Sequence, residues 1–313
     1  MFLIYFWANL KKSSLNSKSK NFLLAWIILI ILAFIWGSSF ILIKRGLLYF
    51  SANEVGALRI VFAFAFLLPF SINKFKKLGF KKIALITFIG IIGSIAPAFL
   101  FAYAQEGLDS NLAGILNSMT PLFTFLIAIT FFGFKSKWYN IAGIFIALAG
   151  AVGLTSVSGG HDLQFNIGYA SYILIATLCY ATNVNLIKHF LKNVDIISIT
   201  VFSFLIPGFL VMIYLFAGTP ILQTVENNPE SWKGIIYVGL LGIVGTAIAL
   251  LAFNKLIKIS NAVIASSVTY IIPIIALMWG ILDGEKFQTI YLLYILLILS
   301  GVYLVNKKNT RKI

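Results

Sequence analysis

Apolar residues run in long blocks along this chain, and polar residues gather in the short gaps between them. A membrane-spanning helix needs roughly 20 mostly apolar residues. Ten blocks meet that length. They predict helices at about 22–43, 55–72, 83–104, 112–134, 138–158, 167–187, 196–217, 234–254, 261–282 and 287–305. The gaps are short, so consecutive helices are expected to pair as hairpins. The opening stretch MFLIYFWA is apolar but too short to span. It precedes Lys11 and Lys12, the reverse of the basic-then-apolar order of a signal peptide.

Charge orients the spans, because lysine and arginine concentrate on the cytoplasmic side. With the N-terminus inside, all but five of the 24 basic residues fall in inside segments or the tails. Lys44, Arg45, Lys233 and Lys286 fall outside, and Arg59 falls within a span. All but one of the nine acids fall outside, the exception being Asp195. Adding or dropping a helix scrambles this sorting. The charges therefore predict ten transmembrane helices with both termini in the cytoplasm.

Composition agrees. Of 313 residues 60% are hydrophobic and 11% charged, with a mean hydropathy of +0.99, whereas a soluble domain is nearer half apolar and a quarter charged. The fold class expected is an all-α polytopic membrane protein. A net charge of +15 does not point to nucleic acid, because the lysines sit between apolar runs and not on one solvated face. The single cysteine, Cys179, lies inside an apolar run and has no intramolecular disulfide partner.

The two halves echo each other. WGSSFILIKRGL from Trp36 parallels YATNVNLIKHFL from Tyr180 at an offset of 144 residues. Gly90 and Gly93 pair with Gly239 and Gly242 at 149, Pro121 with Pro273 at 152, and Gly133 and Gly150 with Gly284 and Gly301 at 151. The pairs stay in order, which indicates two five-helix repeats. Five is odd, so the second repeat enters from the opposite side. Inverted repeats of this kind mark secondary transporters that rock about a midplane site.

FIWGSSF in helix 1, Arg59 in helix 2, NSMTPLF in helix 4 and VTYIIP with WGILDGE in helix 9 resemble the EamA-type members of the drug/metabolite transporter (DMT) superfamily. The resemblance spans about residues 22–306. It implies two inverted EamA repeats, 22–158 and 167–306, joined by an outer linker at 159–166 and flanked by cytoplasmic tails 1–21 and 307–313. It implies a secondary transporter of small metabolites, an exporter or facilitator, multi-pass in a bacterial cytoplasmic (inner) membrane. Amino acids and related metabolites are within the family's substrate range. The first repeat departs from the pattern, with FGFKSKW where the second has DGEKF, so no acid follows Gly133.

Interrupted helices at matching positions of two repeats point to a transporter site. Pro121 is expected to free the carbonyl of Asn117, beside Thr120, and Pro273 that of Thr269. The alternative is a packing kink satisfied by a neighbouring helix. Tyr180, Asn183 and Asn185 form a polar stripe on helix 6, matched by Trp36 and Ser39 on helix 1. They either line a cavity or make interhelical hydrogen bonds. Asn254, Tyr270 and Trp279 are similar candidates. Arg59, four residues into helix 2 and roughly 6 Å deep, either snorkels outward, pairs with Glu106, or meets a substrate carboxylate. Gly143, Ala147 and Ala151 give helix 5 a small-residue face, so helices 5 and 10 are expected as scaffold and as the candidate homodimer contact.

No Walker A, HExxH or paired intramembrane aspartate occurs, so no cofactor, metal site or ATP hydrolysis is expected. No acid lies centrally in any span, which points to facilitated transport or exchange. Glu106 is the deepest outer candidate for ion coupling, with Glu54 and Glu285 next. The alternatives carried are a channel or lipid scramblase, and after these a membrane-embedded enzyme.

Overall fold

A computed structural model describes residues 17–71, 79–133, 137–158, 163–191, 193–259 and 268–306. The remaining tail residues, 159–162 of the expected linker, and the Tyr270 side chain lie outside the described residues. Every described element is a helix. The first half contains α1 (Ser17–Leu47), α2 (Ala52–Leu67), α3 (Phe80–Gly90), α4 (Ala96–Ala104), α5 (Ser110–Asn117), α6 (Thr120–Phe131) and α7 (Trp138–Ser158). The second contains α8 (Leu163–Phe190), α9 (Ile196–Gly218), the short α10 (Ile221–Asn227), α11 (Ser231–Gly242), α12 (Ala249–Ile259), α13 (Val268–Leu282) and α14 (Ile290–Asn306).

Seven stretches are long and apolar enough to cross a membrane, and three further apolar helices are shorter: Trp138–Leu154, Ile271–Leu282 and Ile290–Val305. Large apolar side chains such as Phe131, Phe145 and Leu296 stand exposed on the outside of the bundle, as suits a surface bathed in lipid tails. The chain is a polytopic, all-helical membrane protein.

Local chemistry explains where helices start. Ser51 caps α2: its hydroxyl accepts from the Glu54 N–H at 3.4 Å, and the Glu54 carboxylate accepts from the Ser51 N–H at 2.9 Å. The cap starts α2 three residues before the expected position 55. Asp195 caps α9 through the Ser198 N–H at 3.0 Å. SANE and DIIS occupy matching positions with acid and serine exchanged.

The halves also pack reciprocally. Two spans carry a π turn, Ile91–Ile95 between α3 and α4 and Ile243–Ile248 between α11 and α12. Just before them, Gly90 lies against the Ser203 backbone of α9, and Gly242 against the Arg59 carbonyl of α2. A Cβ would sit 2.2 Å from the Ser203 oxygen and 2.6 Å from the Arg59 oxygen. The matching register is thus GIIGS with GIVGT, Gly90 with Gly242, at offset 152. It corrects the pairing of Gly90 with Gly239, whose nearest would-be neighbour is 3.8 Å away.

The small face of α7 is spent inside the molecule. A Cβ on Gly143 would meet the Gly301 oxygen of α14 at 2.6 Å, and the Asn140 amide donates to the Leu304 and Val305 carbonyls at 3.0 and 2.9 Å. This face is therefore taken up by α14 of the same chain.

Candidate functional site

Two polar centres emerge, one inside the bundle and one at the end where most acids collect. The first is built on the π turns. Each places a glycine opposite a polar residue of the other half's partner helix: Gly93 faces the Asn183 amide of α8, and Gly245 faces the Ser39 hydroxyl of α1. Asn183 and Ser39 are matching residues at offset 144. The aromatic residues one turn away match too. Trp36 packs on Phe253 with ring centroids 5.1 Å apart, and Tyr180 stacks on Phe101 at 6.0 Å. The Trp36 indole N–H donates to the Gly245 carbonyl at 3.2 Å. π turns widen a helix locally and recur at functional sites. Nothing in the expected sites included Gly93, Gly245 or Thr246, although GIIGS and GIVGT carry them.

Arg59 projects into this centre. It lies seven residues into α2, about 10 Å from the helix start at 1.5 Å per residue, deeper than expected because Ser51 starts the helix early. Its Nε–H donates to the Thr246 hydroxyl at 2.9 Å. Thr246 in turn donates to the Leu241 carbonyl at 3.0 Å, across the π turn. The guanidinium also faces the Tyr180 hydroxyl. Protein surrounds both groups, yet both keep accessible surface. The Asn183 side-chain oxygen is likewise buried without a hydrogen-bond partner.

Glu106 takes no part. It is exposed in the turn after α4 and makes no ion pair with Arg59, so both the snorkelling and the Glu106 pairing of Arg59 are corrected, and Glu106 is not a buried ion-coupling acid. The buried acids are Glu54, 2% exposed, and Glu285, whose side chain is 1% exposed. Sequence reading ranked them behind Glu106, because depth along a predicted span says nothing about cover from neighbouring segments. Glu54 is satisfied by the Ser51 hydroxyl and, at 2.9 Å, the Thr224 hydroxyl.

Glu285 anchors the second centre. Its Oε1 accepts from Lys44 Nζ at 2.8 Å, the Ser110 N–H at 2.9 Å and the Ser110 hydroxyl at 2.7 Å, and its Oε2 accepts from the Asn111 N–H at 3.0 Å. These N–H groups open α5 and have no partner within the helix. The Asp109 side chain makes no cap there, so an acid from beyond α13 caps α5. Lys44 also pairs with Asp283 at 2.8 Å, and Arg45 pairs with Asp283. Burial pushes the Asp283 carboxyl up, but Lys44 and Arg45 outweigh it and hold it below the usual carboxylate range.

Other expected site residues make contacts within the bundle. The carbonyl freed at Asn117 accepts from the Thr120 hydroxyl at 2.8 Å, so the chain itself fills it where α5 breaks before Pro121. Pro273 lies inside α13, and Thr269 has a partner within the protein. The Asn185 amide donates to the Thr124 and Ala181 carbonyls at 3.0 and 2.9 Å, tying α8 to α6. Asn254 donates to the Thr200 hydroxyl at 2.9 Å. Trp279 donates to the Ser38 hydroxyl at 2.8 Å and lines an open, largely apolar cleft of about 360 Å³ with Leu42 and Tyr237. That cleft, and one of about 400 Å³ between α2 and α9, touch none of the central polar groups.

With this geometry in hand, comparison with known proteins is direct. The EamA-like transporter family matches residues 23–156 and again 168–307. The chain belongs to the EamA-like transporter family. It is similar to the uncharacterized inner membrane transporter YedA of Escherichia coli K12, at 27% identity over 87% of each chain. A probable terminal-alkyne amino-acid exporter of Streptantibioticus cattleyicolor is 23% identical over 73% of this chain and 75% of that one. An S-adenosylmethionine/S-adenosylhomocysteine transporter of Chlamydia muridarum is 23% identical over 90% and 91%. A solved crystal structure shares the fold, with a TM-score of 0.62 at 17% identity over 90% of this chain and 96% of that one. This EamA protein is a multi-pass inner-membrane transporter, and its relatives are named as transporters, not enzymes.

Proposed function

We propose that this EamA protein is a secondary transporter, an exporter or facilitator of small metabolites, that works by alternating access between two inverted five-helix repeats. Each of the ten apolar helical segments crosses once, with residues 1–21 and 307–313 in the cytoplasm and 159–166 outside. The carrying observation is the matched polar centre at the two π turns, where residues of both halves meet: Trp36 and Ser39 from one, Tyr180 and Asn183 from the other, with Arg59 between Thr246 and Tyr180. A site shared evenly by two repeats can open to either side as the repeats rock. Amino acids and their derivatives are the first substrate class to test, in view of the relatives' names.

The described acids sit at helix ends or in turns, and the two buried ones are taken up by structural contacts. This supports transport down the substrate gradient or by exchange. The test is an untargeted metabolite comparison, inside and outside, of cells overproducing and lacking the protein, followed by purified protein in liposomes. A pH step of one unit supplies about 1.4 kcal/mol per proton. Uphill accumulation driven by that step and abolished by a protonophore would exclude the uncoupled mechanism. A reporter fused after Ile313 should read cytoplasm and one beside His161 the outside. Equal readings would defeat the ten-crossing topology.

A further inference from the structure

The two halves close their ends with different chemistry. Gly133 and Gly284, matched at offset 151, are the only described residues with a positive φ, +65° and +82°. They end matching helices: α6, which packs on α8, and α13, which packs on α1. At the acid-rich end Arg45 of α1 pairs with Asp283, and Lys44 bridges Asp283 and Glu285 at 2.8 Å each. The residue matching Arg45 is His189, at offset 144, and the one matching Asp283 is Phe132, at offset 151. These two make a ring contact, with centroids 4.9 Å apart. Phe134 stands where the second half has Glu285. One span links the two places. Ser110–Phe131 starts with the N–H groups that bond Glu285, and Phe132 follows its last residue. At 1.5 Å per residue, its 22 residues set the two closures about 30 Å apart.

We propose that these are two unequal gates: an ionic latch of Lys44 and Arg45 on Asp283 and Glu285 keeps the acid-rich end shut in the empty protein, and the His189–Phe132 end opens first. The inequality follows from chemistry and cover. Charge-assisted hydrogen bonds are about twice as strong as neutral ones. The latch engages two acids, two bases and the first N–H groups of α5. Its acids are covered, with side chains 9% and 1% exposed. At the other end the matched residues contribute a ring pair, and His189 is exposed. A latched end lowers the fraction of protein open on that side, and the affinity read from that side falls with it. The proposal rests on alternating access and adds which gate holds and what holds it. In the topology proposed above, the latched end faces outside, so the empty protein meets its cargo from the cytoplasm.

The test follows thiol labelling of the full chain in lipid nanodiscs, where both ends meet a charged maleimide. Two reporters are placed in turn in a Cys179→Ser background. Asn111→Cys sits under the latch at a position 0% exposed, and Asn185→Cys sits one turn before His189 at a position 8% exposed. The Asn111 amide has no partner among the described residues, so its replacement breaks no side-chain bond. Arg45→Gln should speed labelling of Asn111→Cys about fivefold and slow that of Asn185→Cys. Phe132→Asp with His189→Arg moves the ion pair to the other end and should likewise speed Asn111→Cys. If the Asn111→Cys protein fails to fold, hydrogen exchange of the Ser110 and Asn111 amides in the unmodified protein decides. There 1 M salt should speed exchange, because it screens the part-exposed pairs. Labelling of Asn111→Cys, or exchange, that ignores Arg45→Gln and salt overturns the latch. Faster labelling at both reporters in Arg45→Gln is local loosening and overturns it too. In either case alternating access stands if the swap still moves the two reporters in opposite senses. If no change at one end moves the reporter at the other, the alternating-access reading fails as well.

Discussion

Glu285 and Arg59 are both charges enclosed by protein, and they are treated in opposite ways. Glu285 has four donors on its two oxygens, one of them the ammonium of Lys44. Arg59 has only neutral hydroxyls, those of Thr246 and Tyr180. The first arrangement is complete within the chain: it ties the end of α1 and the start of α5 to the segment after α13. The second sets one cation among neutral groups drawn from both halves.

Stability measurements can break that contrast with the largest effect. Glu285→Gln puts an amide NH2 among the donors of Ser110, Asn111 and Lys44, and should cost about 3 kcal/mol, read as a lower melting temperature in detergent. Arg59→Leu removes an uncompensated charge and should leave stability within about 1 kcal/mol of wild type, or raise it, while abolishing transport. A large loss of stability in Arg59→Leu would mean that the guanidinium is structural and that the contrast is false.

The next effect concerns the seam between the halves. Gly90→Ala and Gly242→Ala drive a Cβ into rigid backbone and should each cost about 1–3 kcal/mol. At Gly239→Ala the Cβ would meet only the Phe62 ring at 3.8 Å, an ordinary contact, and the change should be silent. Equal damage at Gly239 would restore the offset of 149 and undo the register on which the matched central site depends.

Much of this was legible in the chain. Helix positions follow from the apolar runs, because in hydrocarbon a helix must satisfy its own backbone. The echo of ILIKRGL in NLIKHFL marks the repeat. The break before Pro121 is read correctly, whereas Pro273 lies inside the continuous α13; and Thr120 sits within reach of the freed Asn117 carbonyl, a contact that the proline rule alone does not include. Cover from distant segments is not legible either. Glu285 looks like a loop acid until α5 is folded over it, and Glu106 looks deep until the turn after α4 exposes it. The polar stripe on α8 divides by angle around the helix, Tyr180 and Asn183 toward α4 and its π turn and Asn185 toward α6.

That division gives a smaller expected effect. Asn185→Ala removes a bond between α8 and α6, and Asn254→Ala one between α12 and α9. Interhelical hydrogen bonds in membranes are worth about 0.6 kcal/mol on average, so each variant should melt slightly lower and transport at the wild-type rate. Loss of transport in a stable Asn185→Ala protein would return that residue to the pathway.

The smallest effect is the pH dependence of the saturated centre. The Asp283 carboxyl is raised by burial but lowered more by Lys44 and Arg45, so its folded value lies below its ordinary 3.8. A depressed carboxylate stabilises the fold in full above its unfolded value and loses that contribution as pH falls through the folded one. Asp283 should therefore add a constant amount from pH 7 down to about 4 and lose it only below that. Lys44 and Arg45 are 31% and 45% exposed on their side chains, so solvent screens the pairs and the contribution should be at most about 1 kcal/mol. Asp283→Asn should melt slightly below wild type at pH 7 and converge on it in stronger acid. Because screening weakens exposed pairs, 1 M salt should also narrow the gap at pH 7. A gap that persists unchanged into acid would mean that Asp283 acts through packing and not through charge.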